Sequence, residues 1–526
     1  MKMVKGRLLA GILTAALLVE SVCPVEMVSA AETGTDMVTT MEESNVTAAE
    51  PDENGFVIED GTLIDYKGKG GDVEIPEGVI SIEANAFSMG TITGVTIPKS
   101  MRSISIWAFE NCNRLEKIEV VEGNIDYTSE DGVLYNQDKS KLICYPKGKA
   151  GIVVIPDGVS SIENRAFDNC QNITSVLLSE SVTSIGDYAF YQCYGLVNVT
   201  IPEGITYIGD SAFFCCRNIT NITIPRSVRS IGNYAFYLCT NLKDLIIQEG
   251  VTDIGNDAFE GCDINKITLP ESITNIGNSV FRLCGNLEEI DIATGNKKYA
   301  SVDGILYNKD KSAVLICPEG KKGDVVVPEG VLYIVGRSFL GCAQITNLTL
   351  PKSAVSIGDD AFNSCTNLEN IIIPSNIKKI GDAAFYNCKK MQSVKICHGV
   401  VSLGKNSFGY CGNLKNVIIP ESVTSIENST FLGSNKTVIM CIKGSYAEEY
   451  AKENNINYEY ISGTVTKQDQ IITASDVEKT LGDVAFPLNA STNGDGLLTY
   501  LSDNTAVVSV NEMGVVTVVG AGTAHI

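Results

Sequence analysis

Residues 181–202, SVTSIGDYAFYQCYGLVNVTIP, decide the fold, because this stretch recurs along the chain. Residues 204–225 read GITYIGDSAFFCCRNITNITIP, and residues 227–248 read SVRSIGNYAFYLCTNLKDLIIQ. The shared skeleton is V-x-x-I-G-x-x-A-F-x-x-C-x-N-L-x-x-I-x-I-P, and its Phe recurs every 23 residues in these runs. A fixed period of this length indicates a repeat solenoid, in which each repeat contacts only its neighbours.

The repeat Phe occurs thirteen times and so predicts thirteen rungs. A second period of 172 residues is superimposed on the first, since the Phe intervals follow one order from Phe87 to Phe259 and repeat it from Phe259 to Phe431. The array therefore consists of two super-repeats of 172 residues. The thirteen residues are Phe87, Phe109, Phe167, Phe190, Phe213, Phe236, Phe259, Phe281, Phe339, Phe362, Phe385, Phe408 and Phe431.

Each repeat predicts one coil of a parallel β-sheet with short helical or irregular turns on the outer side. Leu196 to Ile201 is rich in β-branched residues and favours a strand, which Pro202 ends. In the V-x-x-I-G segment we expect Gly186 and its equivalents to adopt a φ value that other residues avoid. The A-F-x-x-C segment predicts about one helical turn with Phe and Cys on the inward face.

Two rungs carry insertions at equivalent places in the super-repeats. Residues 123–148 match residues 295–320, and each predicts a β-hairpin. The pairs Asp131-Gly132 and Asp303-Gly304 are typical of tight turns, whereas a calcium loop would need several spaced oxygen ligands.

The array, with its capping elements, is expected to span residues 56–461. Residues 62–76 predict a hairpin that covers the first rung. Residues 443–461 predict a C-terminal cap with a helix from Tyr446 to about Asn454, because Ser445 and Glu448 form a capping box. An open solenoid needs such a cap with a polar outer face.

The segments that flank the array differ from it in character. Residues 1–31 predict a secretory signal peptide, with basic residues before an apolar run too short to span a bilayer. Residues 32–55 are acidic, contain no basic residue and predict a disordered spacer. Residues 464–526 lack the repeat and predict a small all-β sandwich. Its strands are expected at Ala485–Ala490, Leu498–Leu501, Val507–Val510 and Val515–Val519.

Composition excludes several classes of function. Lys plus Arg number 40 and Asp plus Glu number 63, which gives a net charge of −23. This charge disfavours nucleic-acid partners and anionic membrane surfaces. With only two histidines, His398 and His525, most zinc sites and His-based catalytic groups are removed. We therefore expect no catalytic residues, no metal site, no cofactor and no membrane insertion after signal cleavage.

The repeated I-G-x-x-A-F-x-x-C-x-N-L-x-x-I-x-I-P motif, the inserts at 127–140 and 299–312 and the segment GSYAEEYA at 444–451 resemble the BspA-like leucine-rich-repeat surface proteins of bacteria. The resemblance covers residues 56–461. Several rungs depart from the pattern: Ser179, Gln248 and Cys397 replace the proline, and Gly90 and Ser434 replace the cysteine.

The tail resembles a group 2 bacterial immunoglobulin-like domain. The likeness lies in Leu481-Gly482-Asp483, in residues 507–511 (VVSVN) and in residues 520–524 (GAGTA), while Tyr500 stands where that family usually has Trp. The chain reaches Ile526 inside or before the last strand, so we expect an incomplete domain or a longer chain. Both resemblances imply an extracellular, bacterial cell-surface protein that binds or adheres.

Eleven of the 17 cysteines share one register of the repeat. Side chains at one register point inward in parallel, whereas a disulfide needs converging side chains. We expect a ladder of reduced, buried thiols, because free Cys packs well as a small apolar residue. The eleven are Cys112, Cys170, Cys193, Cys216, Cys239, Cys262, Cys284, Cys342, Cys365, Cys388 and Cys411.

Two surfaces are candidates for binding. One is the exposed sheet face, rich in Thr and Asn. The other is an aromatic strip at the positions two before and one after the repeat Phe, which packing alone does not require and which the second super-repeat lacks. The sheet candidates are Asn198, Thr200, Asn221, Thr223, Asn347 and Thr349. The strip candidates are Tyr188, Tyr191, Phe214, Tyr234 and Tyr237. Alternatively, these aromatic residues only cover neighbouring rungs.

Three functions remain open on the sequence. The favoured one is a non-catalytic, secreted or cell-surface adhesion protein, expected to be a monomer, whose array contacts a host extracellular-matrix or cell-surface protein or glycan. The second is a carbohydrate-active enzyme on a β-solenoid, although no rung gathers an acid, a base and a cation. The third is a passive surface spacer.

Overall fold

The computed structural model describes residues 50–87 and 90–461 and five short segments of the tail, at 472–473, 486–487, 491–492, 507–510 and 515–518. The predicted signal peptide (1–31) and most of the predicted spacer (32–55) lie outside these residues. The strand expected at Leu498–Leu501 also lies outside them.

The main ladder is a row of parallel strands, one from each coil. Neighbouring strands pair one coil apart, as Ile222 pairs with Leu245. Because side chains alternate along a strand, Ile222 and Ile224 are buried while Asn221 and Thr223 face solvent. The strands of this ladder are Gly71–Glu74, Ile92–Ile97, Lys117–Val120, Gly151–Val154, Ile173–Leu177, Asn198–Thr200, Asn221–Ile224, Asp244–Ile247, Lys266–Leu269, Glu289–Ile292, Gly323–Val326, Ile345–Thr349, Asn370–Ile373, Ser393–Ile396, Asn416–Ile418, Val438–Cys441 and Asn457–Tyr460.

A second ladder crosses the back of the solenoid in strands of only two residues, and the second residue of most is a buried Ile, such as Ile185. These strands also pair in parallel from coil to coil. They are Ser81–Ile82, Ser103–Ile104, Ser161–Ile162, Ser184–Ile185, Tyr207–Ile208, Ser230–Ile231, Asp253–Ile254, Asn275–Ile276, Tyr333–Ile334, Ser356–Ile357, Lys379–Ile380, Ser402–Leu403 and Ser425–Ile426.

The core lies between the ladders and contains a column of stacked rings. The ring centres of Phe190 and Phe213 are 5.0 Å apart with planes 6° from parallel, and those of Phe213 and Phe236 are 5.1 Å apart at 5°. The predicted parallel β-solenoid is confirmed.

The turns after the second ladder are irregular rather than helical. Amides alternately bond within the coil and to the next coil: Ala189 N donates to Gly186 O (3.3 Å), and Phe190 N donates to Ala212 O (2.7 Å). Tyr188 and Gln192 have φ values of 57° and 55°. A helix would use all of these amides internally, so the observed pattern instead ties neighbouring coils together.

The repeat glycines have a different role from the expected one. Gly186, Gly209 and Gly232 do not have positive φ; that conformation falls on the second residue after each, such as Tyr188. A Cβ atom on Gly209 would lie 2.4 Å from the backbone carbon of Gly186. Glycine is therefore needed because successive coils approach closely at this corner.

Three antiparallel hairpin units join the second ladder. The N-terminal one pairs Phe56–Glu59 with Thr62–Tyr66, so the hairpin expected at 62–76 begins earlier and its second half belongs to the first coil. Each insertion forms the predicted hairpin plus one further strand, and it also adds a complete coil to the solenoid. The insertion strands are Tyr127–Glu130, Val133–Asn136, Lys141–Cys144, Tyr299–Val302, Ile305–Asn308 and Ala313–Ile316.

The Asp-Gly pairs form tight turns in these units. Asp131 and Gly132 have φ values of 51° and 72°, and Asp303 and Gly304 have values of 49° and 70°. Two successive residues with positive φ are the signature of the type I′ hairpin turn. The turn interpretation of these pairs is confirmed.

The C-terminal end of the array is capped as predicted. A helix spans Tyr446–Glu453, and the Ser445 side chain accepts a hydrogen bond from Glu448 N. In the tail, Val515–Val518 pairs antiparallel with Val508–Val510 and with Phe486–Pro487. The remaining strands described there, Ile472–Thr473 and Ser491–Thr492, pair with each other.

The eleven repeat cysteines are buried free thiols that form a column. Each thiol donates to a carbonyl of the preceding coil: Cys216 Sγ lies 3.0 Å from Phe190 O, and Cys193 Sγ lies 3.1 Å from Phe167 O. In the last rung Ser434 Oγ donates to Phe408 O at 2.7 Å. This register thus requires a small side chain with a hydrogen-bond donor.

Candidate binding surface

Five side chains from three consecutive coils form the aromatic strip: Tyr188, Tyr191, Phe214, Tyr234 and Tyr237. The rings of Tyr191 and Phe214 stack with centres 4.8 Å apart, and those of Phe214 and Tyr237 stack at the same distance. Tyr188 and Tyr234 lie edge-on to Tyr191 and Tyr237 at 5.6 and 5.7 Å. The five rings are therefore one continuous cluster.

Tight turns position the members of the strip. The amide of Tyr191 donates to Tyr188 O at 3.1 Å, and the amide of Tyr237 donates to Tyr234 O at 3.1 Å. Tyr188 and Tyr234 have left-handed φ values of 57° and 55°. The two register positions are thus brought together by a turn and not by helical spacing.

Stacking determines which parts of the rings reach solvent. Tyr234 is 42% exposed, while the other four rings are half-buried. The faces of Phe214 lie against Tyr191 and Tyr237, so edges and hydroxyl groups form most of the outer surface. A ring whose faces are covered offers no platform for the apolar face of a sugar.

Trp107 and Arg165 extend the strip at its N-terminal end. The guanidinium carbon of Arg165 lies 3.5 Å from the centre of the Trp107 ring and 4.4 Å from that of Tyr188. Both residues occupy the register position two before the repeat Phe, as Tyr188 does. The sequence interpretation missed them because the first insertion separates them, although the register itself identifies them.

A buried charged cluster supports Arg165. Lys147 Nζ lies 3.2 Å from Asp168 Oδ2 and 3.8 Å from Glu110 Oε2, and Arg165 lies 3.5 Å from Asp168. The side chains of Lys147 and Asp168 are only 8% and 3% exposed. Burial and the neighbouring Asp168 raise the pKa of Glu110. The cluster lines a cleft of about 300 Å³ beside the first inserted hairpin.

Carboxylates close the other end of the strip. Asp257 and Glu260 occupy the two strip positions of the next coil, and Asp257 raises the pKa of the Tyr234 hydroxyl. Burial and a hydrogen bond with Asp257 raise the pKa of Glu260 to about 7. Arg282 lies 3.8 Å from Glu260, at the edge of ion-pair distance.

The second super-repeat lacks the strip. Positions 172 residues further along hold Asp360, Asn363, Tyr386, Asn406 and Gly409. Its one aromatic side chain at these positions, Tyr386, contacts Tyr410 at 5.2 Å. The equivalent cleft is larger, about 470 Å³, because Glu319 and Leu340 replace the ion pair of the first cleft.

The six sheet candidates lie exposed on the main ladder, well separated from the strip along each coil. Asn198 and Thr200 come from one strand, Asn221 and Thr223 from the strand two places on in the same ladder order. Asn347 donates to Asp324 Oδ1 at 2.6 Å, and Thr349 lies on the same strand. The structure therefore brings the candidates together as two separate surfaces and not as one site.

Metal-binding geometry and membrane spans can be assessed for part of the chain. Among residues 50–87, 90–461 and the described tail segments, no group of three or more His, Cys, Asp or Glu side chains is arranged to hold a metal ion. Within those same residues, no helix has the length and apolar character needed to cross a bilayer.

Family models and solved structures match the chain. The model described as "BspA type Leucine rich repeat region (6 copies)" matches residues 66–152, 143–232, 206–302 and 321–438. The model described as "Intimin, immunoglobulin-like domain" matches residues 488–526, which confirms the immunoglobulin-like tail. No curated protein matches significantly.

A leucine-rich cell surface protein from Faecalibacterium prausnitzii A2-165 is 27% identical, with a TM-score of 0.52 over 62% of this chain and 97% of that one. The pneumococcal vaccine antigen PcpA shares the fold, at 20% identity and a TM-score of 0.51 over 64% and 96% of the two chains. Since the repeat model alone covers well over half of the residues, the chain belongs to the BspA-type leucine-rich repeat family.

Proposed function

We propose that this chain is an exported, non-catalytic adhesion protein that binds a host protein or glycan through the aromatic strip of its first super-repeat. The observation that carries the proposal is the difference between two copies of one scaffold. The core residues recur in both copies, whereas the five rings occur in only one. Packing of the array does not account for this difference, since both copies form the same coils.

The family supports the proposal because its matched relative is a bacterial cell surface protein. The regular turns and the absence of histidines near the strip give no acid–base pair for catalysis. A passive spacer would have no use for a contiguous aromatic surface, because exposed rings promote unwanted association.

The test is attachment of beads coated with the purified chain to host epithelial cells and to immobilised matrix proteins and glycans. The proposal expects attachment that saturates and that an excess of soluble chain competes away. Beads coated with serum albumin provide the baseline. Attachment at the baseline level on all surfaces would favour the passive spacer, and bond cleavage in a glycan would favour the enzyme.

A further inference from the structure

The chemistry around the aromatic strip restricts the kind of partner it fits. Among the rings, the faces of Phe214 and one face each of Tyr191 and Tyr237 are already stacked. Stacking of a sugar ring is therefore disfavoured along the middle of the strip. Ring edges, hydroxyl groups and neighbouring charges are what a partner meets there.

The strip already holds one guanidinium group. Arg165 lies between the rings of Trp107 and Tyr188 and next to the Asp168 carboxylate. This arrangement combines a cation–π contact with an ion pair, which is the pairing that favours Arg over Lys. The molecule thus contains its own example of the ligand chemistry that this surface accommodates.

A row of carboxylates borders the strip along its length. Asp187 and Asp210 stand one position before Tyr188 and Ser211, and Asp257 lies beside Tyr234. Asp187 Oδ1 accepts from Asp210 N at 2.9 Å, and Asp210 Oδ1 accepts from Asn233 N at 2.7 Å. Each carboxylate is thereby held in a fixed position, and its charge lies next to exposed ring edges.

We infer that the partner of the strip is a basic protein segment, in which arginine side chains alternate with apolar ones. The apolar side chains contact the ring edges, and the guanidinium groups pair with Asp187, Asp210 and Asp257. The net charge of −23 attracts such a segment over a longer range. This inference rests on the proposed function, since it names the partner class of the same surface.

The probe is an N-acetylated, C-amidated peptide of four Arg-Leu repeats, and its acidic counterpart contains four Glu-Leu repeats. Binding to the full chain is measured by fluorescence anisotropy in 150 mM NaCl. The duplication supplies matched controls: Asp210→Asn is compared with Asp382→Asn, and Phe214→Ser with Tyr386→Ser. Asn is tolerated in the Asp210 role because Asn233 Oδ1 accepts from Asn256 N at 2.9 Å one coil further on.

We expect saturable binding of the Arg-Leu peptide, weakened about threefold or more by Asp210→Asn and by Phe214→Ser. Asp382→Asn and Tyr386→Ser should leave binding within about twofold of the unmodified chain. Equal weakening by the first-half variants and their controls would overturn the inference, since it indicates attraction to overall charge only. Equal binding of the Glu-Leu peptide would also overturn it. If Phe214→Ser abolishes bead attachment while the peptide results fail, the proposed function stands and only the partner class is wrong.

Discussion

The guanidinium carbon of Arg165 lies 3.5 Å from the centre of the Trp107 ring, although a hairpin and a complete inserted coil separate the two residues in the chain. The inserted coil places strand Lys141–Cys144 where other coils have a turn. No strip side chain intervenes, so the coils on either side of the insertion meet through this pair.

Removal of Arg165 should change the fluorescence of Trp107, which is the single tryptophan of the chain. In Arg165→Ala one face of the indole ring becomes solvated, so we expect the emission maximum to move to longer wavelength. Arg337→Ala, at the equivalent position of the second super-repeat, is the control and should leave the emission unchanged. An unshifted spectrum in folded Arg165→Ala would contradict the stacked arrangement.

Lys147→Met should destabilise the array strongly. The substitution leaves the Asp168 carboxylate buried without its cation, and breaking a buried pair in this way costs about 3–5 kcal/mol. Glu319→Gln, at the equivalent position, loses only part of its hydrogen bond to Leu283 N and should cost about 1 kcal/mol. Urea unfolding followed by circular dichroism measures both; equal losses would show that the buried pair is not stabilising.

Glu260 should make stability depend on pH. Because folding raises the pKa of this acid to about 7 from an ordinary value of 4.5, the folded state holds a proton that the unfolded state releases. Stability is therefore lost as the pH rises from 4.5 through 7. Glu260→Gln cannot ionise, so its melting temperature relative to the unmodified chain should increase between pH 5 and pH 8.

The control for this series is Glu288→Gln, which removes one exposed carboxylate from the same array. If the melting-temperature difference of Glu260→Gln stayed constant or decreased with pH, the burial of Glu260 would not govern its titration.

The repeat thiols should be free but unreactive in the folded chain. Burial raises the pKa of the Cys112 and Cys284 thiols to about 12, so the thiolate that reacts with Ellman's reagent is scarce at pH 8. After unfolding in guanidinium without reductant, all eleven should react. Thiols that remain blocked after unfolding would indicate disulfides and would require a different packing of the column.

Periodic features of the fold were predictable from the sequence. The Phe register identified the core column, and the Asp131-Gly132 pair identified a hairpin turn. The role of Gly186 was not predictable in this way, because a repeated glycine indicates a backbone constraint without saying whether φ or close packing imposes it. The structure assigns it to close packing against the neighbouring coil.

The strip was only partly predictable. The register rule found Tyr188 and Tyr191 and applied equally to Trp107 and Arg165, but the insertion hid the continuity of that register. The Lys147–Asp168 pair follows from contacts between coils, which no spacing in the sequence encodes. The stacked ring faces, which decide what the surface can bind, likewise depend on side-chain orientation.

The most direct test of the central claim is host-cell attachment by the triple variant Tyr191→Ser, Phe214→Ser and Tyr237→Ser, compared with Tyr386→Ser. If the strip is the binding surface, the triple variant loses attachment while its far-ultraviolet circular dichroism spectrum is retained, and Tyr386→Ser attaches as the unmodified chain does. Full attachment by a folded triple variant would contradict the account and would move the binding site to the Asn and Thr face of the main ladder or to the immunoglobulin-like tail.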